Sequence, residues 1–259
     1  CSREHCAVGK KSMTITIENT SRFVEAGGVK IHYHEAGDGP VLVCIHGGAP
    51  GAFGWGNFGR NLEALSAHFR TIIVDLPGYG KSDKPTIDGS RDNFYAETFV
   101  LMLDALGIDK AHVVGASMGG MIVQLMAIHH AERLMTMTSI MSTTGSGKLP
   151  QAEKHAMDAL VAPLKSLEEE VVVAHGINIA KNIGSPHSDE FPFDEQAQRE
   201  RVMRTMRRSL YPAGLPRQLA AIIDDGDRTS RLANVRTPTL VLHGEADPLV
   251  KLAGGEATA

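Results

Sequence analysis

The segment Val113-Val114-Gly115-Ala116-Ser117-Met118-Gly119-Gly120 constrains this chain more than any other. Apolar, β-branched residues lead into Gly-x-Ser-x-Gly and an apolar run over 121–128 follows, a pattern that predicts strand, sharp turn and helix. Glycines at 115 and 119 suit a turn in which strand and helix backbones nearly touch, because a Cβ would not fit there. Ser117 is then lifted out of the sheet as a nucleophile. The first N–H groups of the helix point at any charge that develops beside it.

The rest of the chain supplies the partners that such a unit needs. Alternating residues around Gly27-Gly28 predict a hairpin over 21–34, with His32 and His34 on its outer face and no third ligand nearby to make a metal site. Val41-Leu42-Val43-Cys44-Ile45 reads as a strand buried on both faces. It runs into His46-Gly47-Gly48-Ala49-Pro50-Gly51-Ala52, a glycine-rich loop that can bring bare N–H groups to a ligand. Gly48 is expected to give one oxyanion-hole donor and Met118 the other, with His46 and Gly47 supporting the loop. Helical spacing over 57–68 precedes a strand at 71–74 and a rigid Pro/Gly turn over 75–82, which Asp75 anchors by accepting backbone hydrogen bonds. A helix over 92–107 and a strand over 134–140 complete a strand–helix alternation. The fold class expected is α/β: a mostly parallel central sheet with helices on both faces.

After residue 142 the pattern changes. Residues 143–212 hold helical segments broken by prolines and read as an inserted helical cap, whose Met157, Met203 and Met206 could line an apolar pocket. The organisation expected is a disordered polar leader over 1–20, a first core part over 21–142, the cap, and a return to the core over 213–259. That return contains Thr237-Pro238-Thr239-Leu240-Val241-Leu242, read as a buried strand, and then a loop in which Asp247 is the acid expected to orient a histidine. Only twelve residues follow Asp247, whereas one more helix and strand would need roughly 20 to 25, so the last strand and helix of such a sheet are expected to be missing. None of the twelve histidines occupies a matching position for the base.

Composition narrows the partners. A net charge of -4, spread along the chain, offers no basic footprint for nucleic acid or an anionic membrane, and no apolar stretch is long enough to span a bilayer. The expected partner is a small apolar or aromatic ester-like substrate, with no cofactor and no metal, and with room left for a homo-oligomer. Three cysteines make no disulfide framework, which points to a reducing, cytoplasmic setting.

Taken together, these residues resemble the α/β-hydrolase superfamily from Ser21 onward. His32-Tyr33-His34-Glu35-Ala36-Gly37, the 46–52 loop and Asp75-Leu76-Pro77-Gly78-Tyr79-Gly80-Lys81-Ser82 resemble meta-cleavage-product hydrolases, which cut carbon–carbon bonds in products of aromatic ring opening. The second half, with Gly115-Ala116-Ser117-Met118-Gly119-Gly120-Met121, Ser139-Ile140-Met141-Ser142-Thr143-Thr144-Gly145, Tyr211-Pro212-Ala213-Gly214 and His243-Gly244-Glu245-Ala246-Asp247-Pro248-Leu249-Val250, is similar to the esterase branch that includes aclacinomycin methylesterase. The carbon–carbon family usually has Asn and Trp where this chain has Ala116 and His243. The function expected from this resemblance is a serine hydrolase acting on small carboxylic esters through an acyl-enzyme at Ser117. The alternatives are a meta-cleavage-product hydrolase and a non-catalytic pocket protein lacking the histidine.

Overall fold

The structure, a computed structural model, describes residues 14–48, 51–86, 94–184, 188–189, 191–208 and 225–259. Expectations placed on 1–13, on Ala49 and Pro50, and on 209–224 lie outside these residues. Strands β1 (Ser21–Ala26), β2 (Val29–Ala36), β3 (Val41–Ile45), β4 (Arg70–Val74), β5 (Ala111–Ala116), β6 (Leu134–Ile140) and β7 (Thr239–Leu242) form one sheet in the order β1-β2-β4-β3-β5-β6-β7. The hairpin joins the sheet antiparallel through β2 and β4, and every pairing from β4 across to β7 is parallel.

Alternate residues of each strand feed opposite faces, as the pleat requires. Val43, Ile45, Ile72, Val74 and Val113 pack with Phe99 and Leu103 of helix α3 (Phe94–Ala105) and Ile122 and Val123 of helix α4 (Met118–His129). Leu42, Cys44 and Ile73 pack on the other face with Phe58 of helix α1 (Gly54–Phe58) and Leu62 of helix α2 (Leu62–Ser66). From β3 the chain crosses to β4 on one side and then to β5 on the other. The carboxyl ends of β3 and β5 therefore flank a topological switch point, where open α/β sheets leave a crevice. Helices α5 (Lys154–Val161), α6 (Glu169–Ile183) and α7 (Glu195–Arg208) pack in sequence on one another, and the Glu153 N–H bonds Pro248 O (2.8 Å), tying the start of α5 to the loop after β7. No helix among the described residues is long and apolar enough to cross a membrane.

Three local expectations are corrected. The helix expected over 57–68 is α1, a 3-10 turn at Gly59–Asn61, and α2. A Cβ at Gly59 would lie 2.8 Å from the Trp55 ring, so the indole packs on the glycine where the two helices break. Strand β7 is not buried: it is an edge among the described strands, and Leu240 and Leu242 are 52% and 46% exposed. His32 and His34 do not face outward. Both are buried: the Trp55 indole lies 4.8 Å from the His34 ring, and His32 packs against the rings of Phe23 and His34 with Nδ1 on Asp75.

That burial centres on Asp75, which is itself fully buried. Its Oδ1 accepts the Gly54 N–H (2.8 Å), while Oδ2 accepts the Lys81 N–H (2.9 Å) and faces His32 Nδ1 (2.9 Å). His32 Nε2 in turn meets Ser21 Oγ at 2.8 Å. Gly80, at φ +51°, has no room for a side chain, since a Cβ would fall 1.9 Å from Asp75 Oδ2. One carboxylate thus ties the hairpin, α1 and the 75–82 turn together. Burial pushes the Asp75 carboxyl up, but the hydrogen bonds from His32 and the Lys81 N–H outweigh it and hold the group well below the usual carboxylate range.

A carboxylate depressed in this way adds stability that is fully present above its unfolded value, near 3.9, and is lost as pH falls through the folded one. The gap in urea midpoint between the parent chain and Asp75→Asn is therefore expected to be constant above about pH 5 and to narrow below pH 4. A gap unchanged down to pH 3 would contradict this account. At the other glycine-dependent contact, a Cβ on Gly119 would lie 2.2 Å from Ile45 O, so Gly119→Ala is expected to cost about 2–3 kcal/mol in urea unfolding. A change below about 0.5 kcal/mol would show that the strand–helix contact is looser than drawn here.

Candidate active site

Ser117 stands at the carboxyl end of β5 with φ +53° and ψ −115°, a left-handed conformation that costs a non-glycine residue about 1–3 kcal/mol. Its surroundings leave no other choice. A Cβ at Gly115 would sit 2.0 Å from Gly119 O, and one at Gly120 would sit 2.5 Å from Ser142 Cβ, so only glycines let β5, α4 and the end of β6 come this close. Hydrogen bonds fix what the packing permits. The Ser117 N–H donates to Ile140 O (2.8 Å), and the Ser117 carbonyl accepts both Ser142 Oγ (2.9 Å) and the Met121 N–H (3.2 Å).

The glycine-rich loop lies against this turn. A Cβ at Gly47 would come 3.1 Å from Ser117 Cβ, and the Gly47 N–H is engaged by Asn57 Oδ1 at 3.2 Å. His46, fully buried, accepts the Leu76 N–H at Nε2 (3.1 Å), which leaves Nδ1–H to donate to Gly47 O (2.7 Å). Its ring is edge-on to Tyr79 at 5.1 Å. With both ring nitrogens used in the loop, His46 fixes backbone and is not placed to take a proton. Gly48 follows directly and is half-buried, and Met118 is buried at the first position of α4. The N-terminus of α4 thus opens toward the space beside Ser117, an arrangement suited to an oxyanion.

Asp247 belongs to the loop after β7. The Ser117 N–H bonds Ile140 O and the Met141 N–H bonds Leu242 O (2.8 Å), so the ends of β5, β6 and β7 are laced in a row. Two strand spacings put the ends of β5 and β7 about 10 Å apart. Asp247 Oδ1 accepts the Leu249 and Val250 N–H groups, both at 2.9 Å. His243 Nε2 lies 3.9 Å from Asp247 Oδ2 and donates to Val250 O (2.6 Å), while Nδ1 is buried without a hydrogen-bond partner among the described residues. No hydrogen bond joins Ser117 Oγ to a histidine among the described residues, and no group of His, Cys, Asp and Glu side chains among them could hold a metal. Asn57, in α1, carries no mark in the sequence, and Ser142 stands there only as one residue of the 139–145 segment; the role of each is defined by the backbone group that it meets in the fold.

Comparison with known proteins places this geometry in a family. Residues 40–259 match the alpha/beta hydrolase fold family. The chain is 32% identical over 248 residues to the 2-hydroxy-6-oxononadienedioate/2-hydroxy-6-oxononatrienedioate hydrolase of Paraburkholderia phymatum, covering 93% of this chain and 84% of that protein. It is 42% identical over 126 residues to the 2-hydroxy-6-oxo-6-phenylhexa-2,4-dienoate hydrolase of Comamonas testosteroni, covering 46% of this chain and 44% of that one. The solved hydrolase of that second name from a Rhodococcus species superposes with a TM-score of 0.75 at 21% identity, covering 92% of this chain and 85% of the other, a likeness of fold. These relatives overturn the reading as a small-ester hydrolase. That reading rested on short motifs of the second half, and an elbow is shaped by backbone packing that esterases and carbon–carbon hydrolases share, whereas the likeness to dienoate hydrolases runs across nearly the whole chain. The chain belongs to the α/β-hydrolase fold family.

Proposed function

We propose that the chain is a carbon–carbon bond hydrolase acting on a ring-opened, conjugated keto-dienoate of the kind produced by meta-cleavage of an aromatic ring. The observation that carries the reading is the identity of 32% over 93% of the chain to an enzyme named for such a substrate. In this reading Ser117 Oγ adds to the ketone carbon and gives up its proton to a base. The N–H groups of Gly48 and Met118 hold the oxyanion. Once the dienol has tautomerised by taking a proton at the carbon beside the ketone, collapse of the adduct breaks the bond to that carbon, and its electron pair passes through the enone to give a 2-hydroxydienoate protonated on oxygen. The acyl group left on Ser117 is released by water as a carboxylic acid.

Asp247, with Oδ1 held by the Leu249 and Val250 N–H groups, is the acid of this reading, while His46, Gly47 and Asp75 hold the loop that carries Gly48. Residues 143–212 act as the cap, covering the carboxyl edge of the sheet and keeping water from the carbanion-like intermediate. The bond from Glu153 to Pro248, which ties α5 to the acid loop, supports that placement.

The test is turnover of 2-hydroxy-6-oxo-6-phenylhexa-2,4-dienoate, followed by loss of the dienoate chromophore and by mass detection of benzoate. The parent chain is expected to cleave it faster than p-nitrophenyl acetate, and Ser117→Ala is expected to lower kcat about a thousandfold or more. Ester turnover without dienoate cleavage, or a Ser117→Ala variant with unchanged kcat, would overturn the proposal.

A further inference from the structure

Arg228 is the largest fully buried side chain among the described residues, at 1% exposure, and the chemistry proposed above makes no use of it. It sits where two crossings of the chain meet: 142–145, leaving β6, and 225–229, returning toward β7. The Arg228 N–H donates to Thr144 O (2.8 Å) and Nη2 donates to Thr143 O (2.9 Å). Nε donates to Oε1 of Gln124 (3.0 Å), a fully buried residue of α4 two turns beyond Ser117. Asp225, almost fully buried, lies against Nη1 as the counter-ion. Thr229 Oγ1 meets Thr144 Oγ1 at 2.9 Å. The crossing is so close that a Cβ on Gly145, at φ +79°, would lie 2.3 Å from Gly226 O.

We propose that Arg228 is a positioning residue for the reacting centre: its guanidinium clamps the 142–145 and 225–229 crossings to Gln124 of α4 and, through Ser142, fixes the strained backbone of Ser117. The link to Ser117 is the bond from Ser142 Oγ to the Ser117 carbonyl at 2.9 Å, one residue before the carbonyl that Arg228 holds. A planar fork is required, because Gln124 and Thr143 lie on different segments and are reached from different nitrogens. A lysine ammonium keeps the charge but cannot span both. Burial and the nearby Arg231 lower the guanidinium to about 10, which leaves it charged at neutral pH, and Asp225 is its ion-pair partner. Without the fork, Thr143 O and Gln124 Oε1 are left buried and unpaired, so 142–145 relaxes toward water and takes Ser142 with it.

The clamp rests on the proposed reaction only for its effect on turnover, so its test is read first without substrate. Hydrogen exchange is measured by mass spectrometry on the full chain and on Arg228→Lys, Ser142→Ala and the double variant, with thermal unfolding alongside. Arg228→Lys is expected to unfold cooperatively and to speed exchange at least tenfold in peptides covering 117–124 and 140–146, leaving the 21–36 hairpin unchanged. Ser142→Ala is expected to speed exchange over 117–124, and the double variant is expected to add nothing there, since both act through one bond. Where dienoate turnover is measurable, Arg228→Lys is expected to lower kcat at least tenfold with KM within threefold. If Arg228→Lys does not fold, Thr144→Val, which removes the Thr229 bond at the same crossing, is expected to give the same local exchange pattern more weakly. A uniform rise in exchange along the chain, independent additive effects in the double variant, or unchanged exchange over 117–124 would each overturn the proposal. Absence of dienoate turnover with the local exchange pattern intact would count against the proposed reaction and not against the clamp.

Discussion

The backbone of Ser117 is the constraint on which the other features depend. A serine at φ +53° is unfavourable on its own and persists because β3, β5, β6 and α4 meet there with no space for a Cβ at Gly115, Gly119 or Gly120. The same close approach shapes the candidate site. It brings the start of α4, the Gly47–Gly48 segment and the Ser117 side chain to one place at the switch point of the sheet. Because every glycine contact is with backbone or with a short, packed side chain, the surroundings cannot yield by rotating a flexible group. The strain is held by packing and needs no ligand to maintain it.

Two buried polar centres stabilise the loops around that turn, and they do so differently. Asp75 works from one side, collecting N–H groups from Gly54 and Lys81 and the imidazole of His32, so that the turn after β4 and the Trp55 segment share one anchor. Arg228 works from the other side, satisfying carbonyls of the segment that follows β6. Each is an ion taken out of water, an arrangement that is costly unless nearly every lone pair or proton finds a partner. Removing either side chain would therefore leave two groups near the candidate site without their partner, the Gly54 and Lys81 N–H groups for Asp75 and Thr143 O and Gln124 Oε1 for Arg228, an effect larger than the loss of one hydrogen bond.

Features encoded within a few residues were legible in the sequence. The elbow, the hairpin about Gly27 and Gly28 (φ +58° and +78°) and the alternation of parallel strands with helices all follow from local pattern, and the structure has them. Features that depend on distant partners were not. His32 is buried because of a carboxylate 43 positions away, Ser142 matters because of a carbonyl 25 positions away, and Arg228 because of an amide 104 positions away. The break between α1 and α2 was missed because ring-on-glycine packing overrides a helical apolar spacing. The substrate class was misread for a related reason: residues such as Ala116 and His243 adjoin a turn whose shape is common to hydrolases of different bonds, so they say little about which bond is cut.

In the proposed reaction the strained serine is the chemically reactive group of this chain. The most direct test of that role is reaction with a fluorophosphonate, read by intact mass and by mapping of the modified peptide. One adduct per chain is expected, on Ser117 and absent from Ser117→Ala. An adduct on any other residue, or none on a cooperatively folded chain, would contradict it.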